Sequence, residues 1–199
     1  MLIRIALLLT AGSIAWAHDL GKGMERFKER DYAGAEQEMR DVVEMEPRNA
    51  EALRILGLSM VRQGKATEAI PVLESAVAVG PDFPDAKLAL AAGYAAEKQY
   101  PEAEKLIDEV TAQKSDHEEL PYYRGMLAVL RKQYKDAVPH LETAIEKDPE
   151  NGYAYYYAGL AYSNTKRPDK MVGAFNNFLR LEPKSPDAAK VRSFLKASR

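Results

Sequence analysis

The sequence predicts an all-α protein, a solenoid of stacked antiparallel helix pairs, and three observations predict it. Small residues recur at Gly23, Gly57, Ala91, Gly125 and Gly159, each 34 positions from the next, with no insertion breaking the register. The same step joins Ala35, Ala69, Ala103, Ala137 and then Met171, and it joins Met39, Leu73, Ile107, Leu141 and Phe175. It also joins Val42, Ala76, Val110, Ala144 and Phe178, and at the end of each period Pro47, Pro81, Ser115, Pro149 and Pro183. A fixed period of this length marks a repeat architecture, in which one hairpin cannot bury its apolar face alone and neighbours must stack.

The elements follow in chain order. "MLIRIALLLTAGSIAWA" carries Arg4, an apolar run from Ile5 to Trp16 and the small-x-small pattern Ala15-Trp16-Ala17, which predicts a secretory signal over 1–17 cut before His18. The run is shorter than the ~20 residues that cross a bilayer, so no stable membrane span is expected after cleavage. The chain has no cysteine, which excludes disulfides, a lipidated cysteine and thiolate metal sites. A cysteine-free chain tolerates an oxidising compartment. The expected location is outside the cytoplasm: periplasmic in a Gram-negative bacterium, otherwise secreted.

Five units are expected over about 18–49, 50–83, 84–117, 118–151 and 152–183. In "LRILGLSMVRQGKATEAIPVLESAVAVGP", Leu53, Leu56 and Met60 share one helical face, Gly64 permits a turn, and Ala69, Leu73 and Ala76 share a second face. The glycine or alanine of the first helix and the alanine of the second let two backbones approach, and the terminal proline stops the second helix. In the tail, 184–199, Ser185 or Asp187 can cap a last helix with Ala188, Val191 and Leu195 as its apolar stripe and Lys190, Arg192 and Lys196 wet.

These residues resemble the tetratricopeptide repeat family. Its pattern is matched by Leu53-x-x-Leu56-Gly57-x-x-Met60 with Ala69, Leu73 and Pro81, and by Tyr155-x-x-Ala158-Gly159-x-x-Tyr162 with Phe175 and Pro183. Departures are Ser115 for proline, Met171 for alanine, and Lys22 and Arg124 at leucine places. The resemblance implies a right-handed α-solenoid whose concave side binds protein, closed by the tail as a capping helix.

"NGYAYYYAGLAY", residues 151–162, holds five of the chain's 11 tyrosines. By the resemblance, Tyr155 and Tyr162 pack between helices, Tyr153 and Tyr156 line the concave groove, and Tyr157 faces either the edge of that groove or the neighbouring repeat. The same reading puts Tyr122 and Met126 in the groove, together with Arg54, Leu58, Arg62, Leu88, Ala92 and Leu160. Tyrosine offers wide contact area with few torsions to freeze, so these rings either form a recognition platform or narrow the groove by packing on one another. The implied partner is an extended segment or helix with apolar anchors and an acidic end. The asparagines by which carboxylate-clamp members hold chaperone C-termini are replaced by Met24, Leu58, Ala92, Met126 and Leu160, so that specificity is not expected.

The net charge of −2 and a pI near 6.0 give no footprint for nucleic acid. Residues 160–199 nevertheless carry nine bases against three acids, +6, which leaves −8 for the remainder. That basic end reads as a solvated face or a surface for an acidic partner. His18, His117 and His140 lack partners spaced as a triad or a metal set, and no glycine-rich phosphate loop occurs. The expected function is thus a non-enzymatic, cofactor-free protein–protein adaptor that helps assemble or maintain an envelope or secretion complex. The alternative is a carbohydrate or cell-wall binder that stacks sugars on tyrosines.

Overall fold

The structure, a computed structural model, describes residues 20–197; the expected signal segment and its cleavage before His18 lie outside the described residues. Eleven α-helices and no strand occur among them: α1 (20–28), α2 (Tyr32–Met45), α3 (Ala50–Arg62), α4 (Ala66–Val79), α5 (Pro84–Ala96), α6 (Tyr100–Gln113), α7 (Leu120–Leu130), α8 (Tyr134–Lys147), α9 (Gly152–Asn164), α10 (Pro168–Leu181) and α11 (Ala188–Ala197). The all-α architecture of stacked helix pairs is the one that the period predicts.

The 34-residue step is written into the backbone itself. Left-handed residues stand at Arg30, Gly64, Lys98, Lys132 and Lys166, with φ of 64°, 80°, 62°, 63° and 59°, each in the turn between a first and a second helix. Each turn is closed by the same bond: Asp31 N to Arg26 O, Lys65 N to Met60 O, Gln99 N to Tyr94 O, Gln133 N to Ala128 O and Arg167 N to Tyr162 O, at 2.8–3.0 Å. This reach back across the last turn of the first helix satisfies a carbonyl that helix geometry leaves unpaired. Second helices end in step as well, where Glu46, Gly80, Lys114, Asp148 and Glu182 donate their N–H to the carbonyl four residues earlier. Asn49 and Asn151 then cap the next first helices, accepting from Ala52 N and Ala154 N at 3.0 Å.

The described residues divide into two compact units, the first ending at Ala89 and the second beginning at Leu90. In the first, α3 packs on α2 and α4. A Cβ added at Gly23 would collide with Met39, and one at Gly57 with Leu73, so glycine there sets the interhelical spacing. Leu53, Ala76 and Ala86 form a buried cluster lined by Val43, Val72, Val77, Val79 and Phe83. In the second unit, α7 packs on α6, α8 and α9, and α9 on α8 and α10. Gly125 faces Leu141 and Gly159 faces Phe175 in the same manner. Phe175 and Phe178 are the largest fully buried side chains of this core.

α11 docks on α10. Ala188 and Val191 are 1% and 2% exposed, Leu195 is half-buried, and Lys190, Arg192 and Lys196 are exposed. The Phe194 ring meets Phe175 edge to face at 5.6 Å. Counting by 34, α11 stands where a further first helix would stand. The residues that would face its second helix, Ala189, Arg192, Ser193 and Lys196, are exposed, and two are charged. A repeat stack ends well on such a face, because it presents charge instead of core to water.

Candidate functional site

The expected groove residues fall in both units. In the first, Arg54 on α3 is half-buried, its guanidinium bonded twice to Glu51 at 2.6 and 2.8 Å and 5.9 Å from the centre of the Phe83 ring. Arg62 is half-buried, whereas Leu58 and Leu88 are core. In the second unit Leu160 is half-buried, and Ala92, Tyr122, Met126, Tyr153 and Tyr156 are buried. Arg54, Arg62 and Leu160 are thus the expected groove positions that reach solvent.

The tyrosines differ from the expectation in which of them are covered. Tyr153 and Tyr156, expected on the open groove, are each 6% exposed, while Tyr155, expected as filler, is half-buried. Tyr162 is buried, as expected. The cause is the segment after α10, which folds over the face of α9 that carries the two rings. The Tyr153 hydroxyl bonds Ser185 Oγ at 2.9 Å and the Tyr156 hydroxyl donates to Asp187 Oδ1 at 3.0 Å. Burial, together with the Asp187 charge and bond, raises the Tyr156 phenol pKa well above 10.0.

Ring contacts run on through the unit: Tyr122 to Tyr123 at 4.9 Å, Tyr122 to Tyr157 at 6.3 Å, Tyr157 to Tyr156 at 5.2 Å, and Tyr156 to Phe178 at 5.1 Å. Most of these pairs are edge-on or tilted, the arrangement that ring quadrupoles favour. Tyr122 is 4% exposed inside this array. The buried rings of Tyr122, Tyr153 and Tyr156 therefore back the helices instead of offering open faces, and the sugar-stacking alternative loses the platform it needs.

Tyr162 joins a separate cluster. Its hydroxyl donates to Glu142 Oε1 at 2.9 Å, Lys170 Nζ donates to the same oxygen at 2.7 Å, and that ammonium lies 5.5 Å from the ring centre. The Lys170 bond, resisted by burial and aided by the Tyr162 hydroxyl, holds the Glu142 carboxyl below its ordinary 4.5.

One feature had no sequence signal. A cleft of about 200 Å³ opens among α6, α7 and α8, floored by Ile107 and Leu127 and edged by Arg124, Arg131 and His140. Its walls come from three successive helices; helical spacing relates the residues within α6 or within α7, but no spacing rule joins one helix's set to the next. Arg124, the departure at a leucine place, is half-buried and donates to Thr111 Oγ1 at 2.9 Å. Burial and the Arg124 charge, opposed by Asp136, lower the His140 pKa below 6.5. His117 is a buried turn residue whose Nδ1 accepts from Glu119 N at 3.3 Å. Among the described residues no group of three or more His, Asp or Glu side chains is placed to hold a metal ion, and no helix is long and apolar enough to cross a membrane.

Known proteins share this arrangement. The TTC0263 protein of Thermus thermophilus, a thermophilic tetratricopeptide-repeat protein, has a solved structure that matches with a TM-score of 0.71 over 92% of this chain and 98% of its own, at 16% identity. A MamA protein matches with a TM-score of 0.50 over 85% and 92%, at 22% identity. At these identities the likeness is one of fold. The Superkiller complex protein 3 of Mus musculus is 32% identical over 56 residues, 28% of this chain, and the chain spans 4% of that relative's length. Repeats of this family generally serve as non-enzymatic scaffolds that bind proteins or peptides. Family models described as tetratricopeptide repeat match residues 20–76, 60–130 and 140–172, and the chain is accordingly built from tetratricopeptide repeats.

Proposed function

We propose that the protein is a non-enzymatic adaptor, free of cofactors, that holds a protein or peptide segment against its first helices and helps assemble or maintain an envelope or secretion complex. The observation that carries this reading is the unbroken recurrence of the helix-pair turn at Arg30, Gly64, Lys98, Lys132 and Lys166, which supports five repeats where the family models match part of the chain. A solenoid of this kind spends its sequence on presenting surface, and its chemistry lies in what that surface offers. In the first unit the half-buried Arg54 and Arg62 suit acidic side chains; in the second, Leu160 and Tyr157 suit a small apolar anchor. The buried tyrosines act behind that surface by fixing helix positions. Export rests on the segment ending at Ala17.

Photo-crosslinking residues placed singly at Arg54, Arg62 and Leu160 test the reading in the native host, with exposed second-helix positions such as Glu102 and Lys135 as controls. A protein partner crosslinked from the first set, on a mature chain whose intact mass begins at His18, is the expected result. Crosslinks confined to the second set would move the binding face, and an intact mass beginning at Met1 would remove the export setting.

A further inference from the structure

Three large apolar side chains are exposed among the described residues, Met45, Val172 and Phe194, at 59%, 39% and 40%. The electrostatic settings of Phe194 and Met45 are opposite. Phe194 lies on α11, where Lys190, Arg192 and Lys196 are all exposed and no acid occurs. Val172 lies on α10, one turn before the Phe175 ring that Phe194 touches. Of the three acids in residues 160–199, Asp187 is engaged by the Tyr156 hydroxyl and Glu182 is 2% exposed, while Asp169 is exposed one turn before Val172, so the basic surface is that of α11. Met45 lies on α2 with Asp41 and Glu44, both exposed, within one turn before it.

We propose that these faces bind each other between copies of this chain: the α10–α11 face of one copy seats on the α2 face of another. Phe194 and Val172 meet Met45, and Lys190, Arg192 and Lys196 lie opposite Asp41 and Glu44. The chain's charge distribution selects this occupant, since one molecule carries +6 in its last forty residues and −8 elsewhere, and its net −2 leaves little repulsion between copies. The two faces are different surfaces, so a copy joined through one of them has the other for a second contact, made either reciprocally with the same partner or with a further copy. The proposal is independent of the adaptor reading, which concerns the first-helix face.

Sedimentation velocity of the mature chain tests it over a wide range of concentration in low and high salt. Mean size should rise with concentration in low salt and fall to monomer in high salt, where charge pairs are screened. Phe194→Ala, which removes the exposed ring together with its edge contact on Phe175, should weaken association by roughly tenfold in a variant that circular dichroism shows to be folded. A Lys190→Glu, Arg192→Glu, Lys196→Glu triple variant and an Asp41→Lys, Glu44→Lys double variant should each stay monomeric alone yet associate when mixed, with unchanged circular dichroism showing both to be folded. A wild-type chain monomeric at every concentration, association untouched by the reversals, or a mixture that stays monomeric would each overturn the proposal. So would capture of a different acidic protein on α11 while the chain itself remains monomeric.

Discussion

Glu36 on α2 is 8% exposed and yet charged. Burial is the largest single influence on it and raises its pKa, but bonds from Lys65 Nζ at 2.8 Å, Arg40 Nη2 at 2.7 Å and Gln63 Nε2 at 2.7 Å together outweigh burial and hold it below 4.5. A carboxyl with a lowered folded-state pKa contributes stability that is full above the unfolded value, here 4.5, and is lost as pH falls through the lower folded value. Glu36→Gln should therefore cost about 2 kcal/mol near neutral pH and flatten the loss of stability below pH 4.5, read by urea melts across that range. Ser59 makes the opposite case: it is fully buried on α3 and its hydroxyl has no bonding partner. Ser59→Ala should raise stability by about 1 kcal/mol, and a drop in the urea midpoint would mean that the hydroxyl is satisfied after all. Neither role was legible in the sequence, since two of the Glu36 partners stand 27 and 29 residues away and lie outside any helical spacing. Tyr153 and Tyr156 were legible as first-helix residues, but their burial depends on the tail that closes over them.

At the scale of the helix pair the sequence was most informative, because both of its geometric demands recur at one spacing. The close approach needs a small residue, and Gly159 has no room for a methyl beside Phe175. A glycine in mid-helix costs roughly 0.5–1 kcal/mol against alanine, so its presence there reflects packing. Gly159→Ala should gain that propensity and lose more to overpacking, for a net destabilisation of about 1 kcal/mol in thermal or urea melts. The third pair shows the limit of this demand, since it holds Ala91 where the others hold glycine and Ile107 stands at the facing place. The second demand, a left-handed turn residue, was visible only at Gly64, because Arg30, Lys98, Lys132 and Lys166 adopt the same φ without being glycine. The closing bond of the turn holds them there against a cost of about 1 kcal/mol. Lys132→Gly should recover somewhat less than that, about 0.5 kcal/mol, since glycine also loosens the unfolded chain. A lower melting temperature for Lys132→Gly would show that the lysine side chain contributes something the backbone argument omits.

At the scale of the whole molecule, a stack of repeats derives its stability from each unit and from contacts with its sequence neighbours, so damage at one end need not unfold the other. The tail tests this. Val191 is 2% exposed on α11, and Val191→Asp would bury an unpaired charge against the second unit, a change worth about 3 kcal/mol. Undocking α11 also takes Ser185 and Asp187 from the hydroxyls of Tyr153 and Tyr156, so the loss should spread to α9 and α10 through those bonds and through the Phe175–Phe194 contact. Native-state hydrogen exchange should show amides of α9, α10 and α11 losing protection together, while those of α3 and α4 keep theirs. Leu73→Ala empties a fully buried site of the first unit and should give the converse pattern. If both variants instead lower protection evenly from α2 to α11, unfolding is a single cooperative event, and the division of the chain at Ala89 describes geometry without describing energetics.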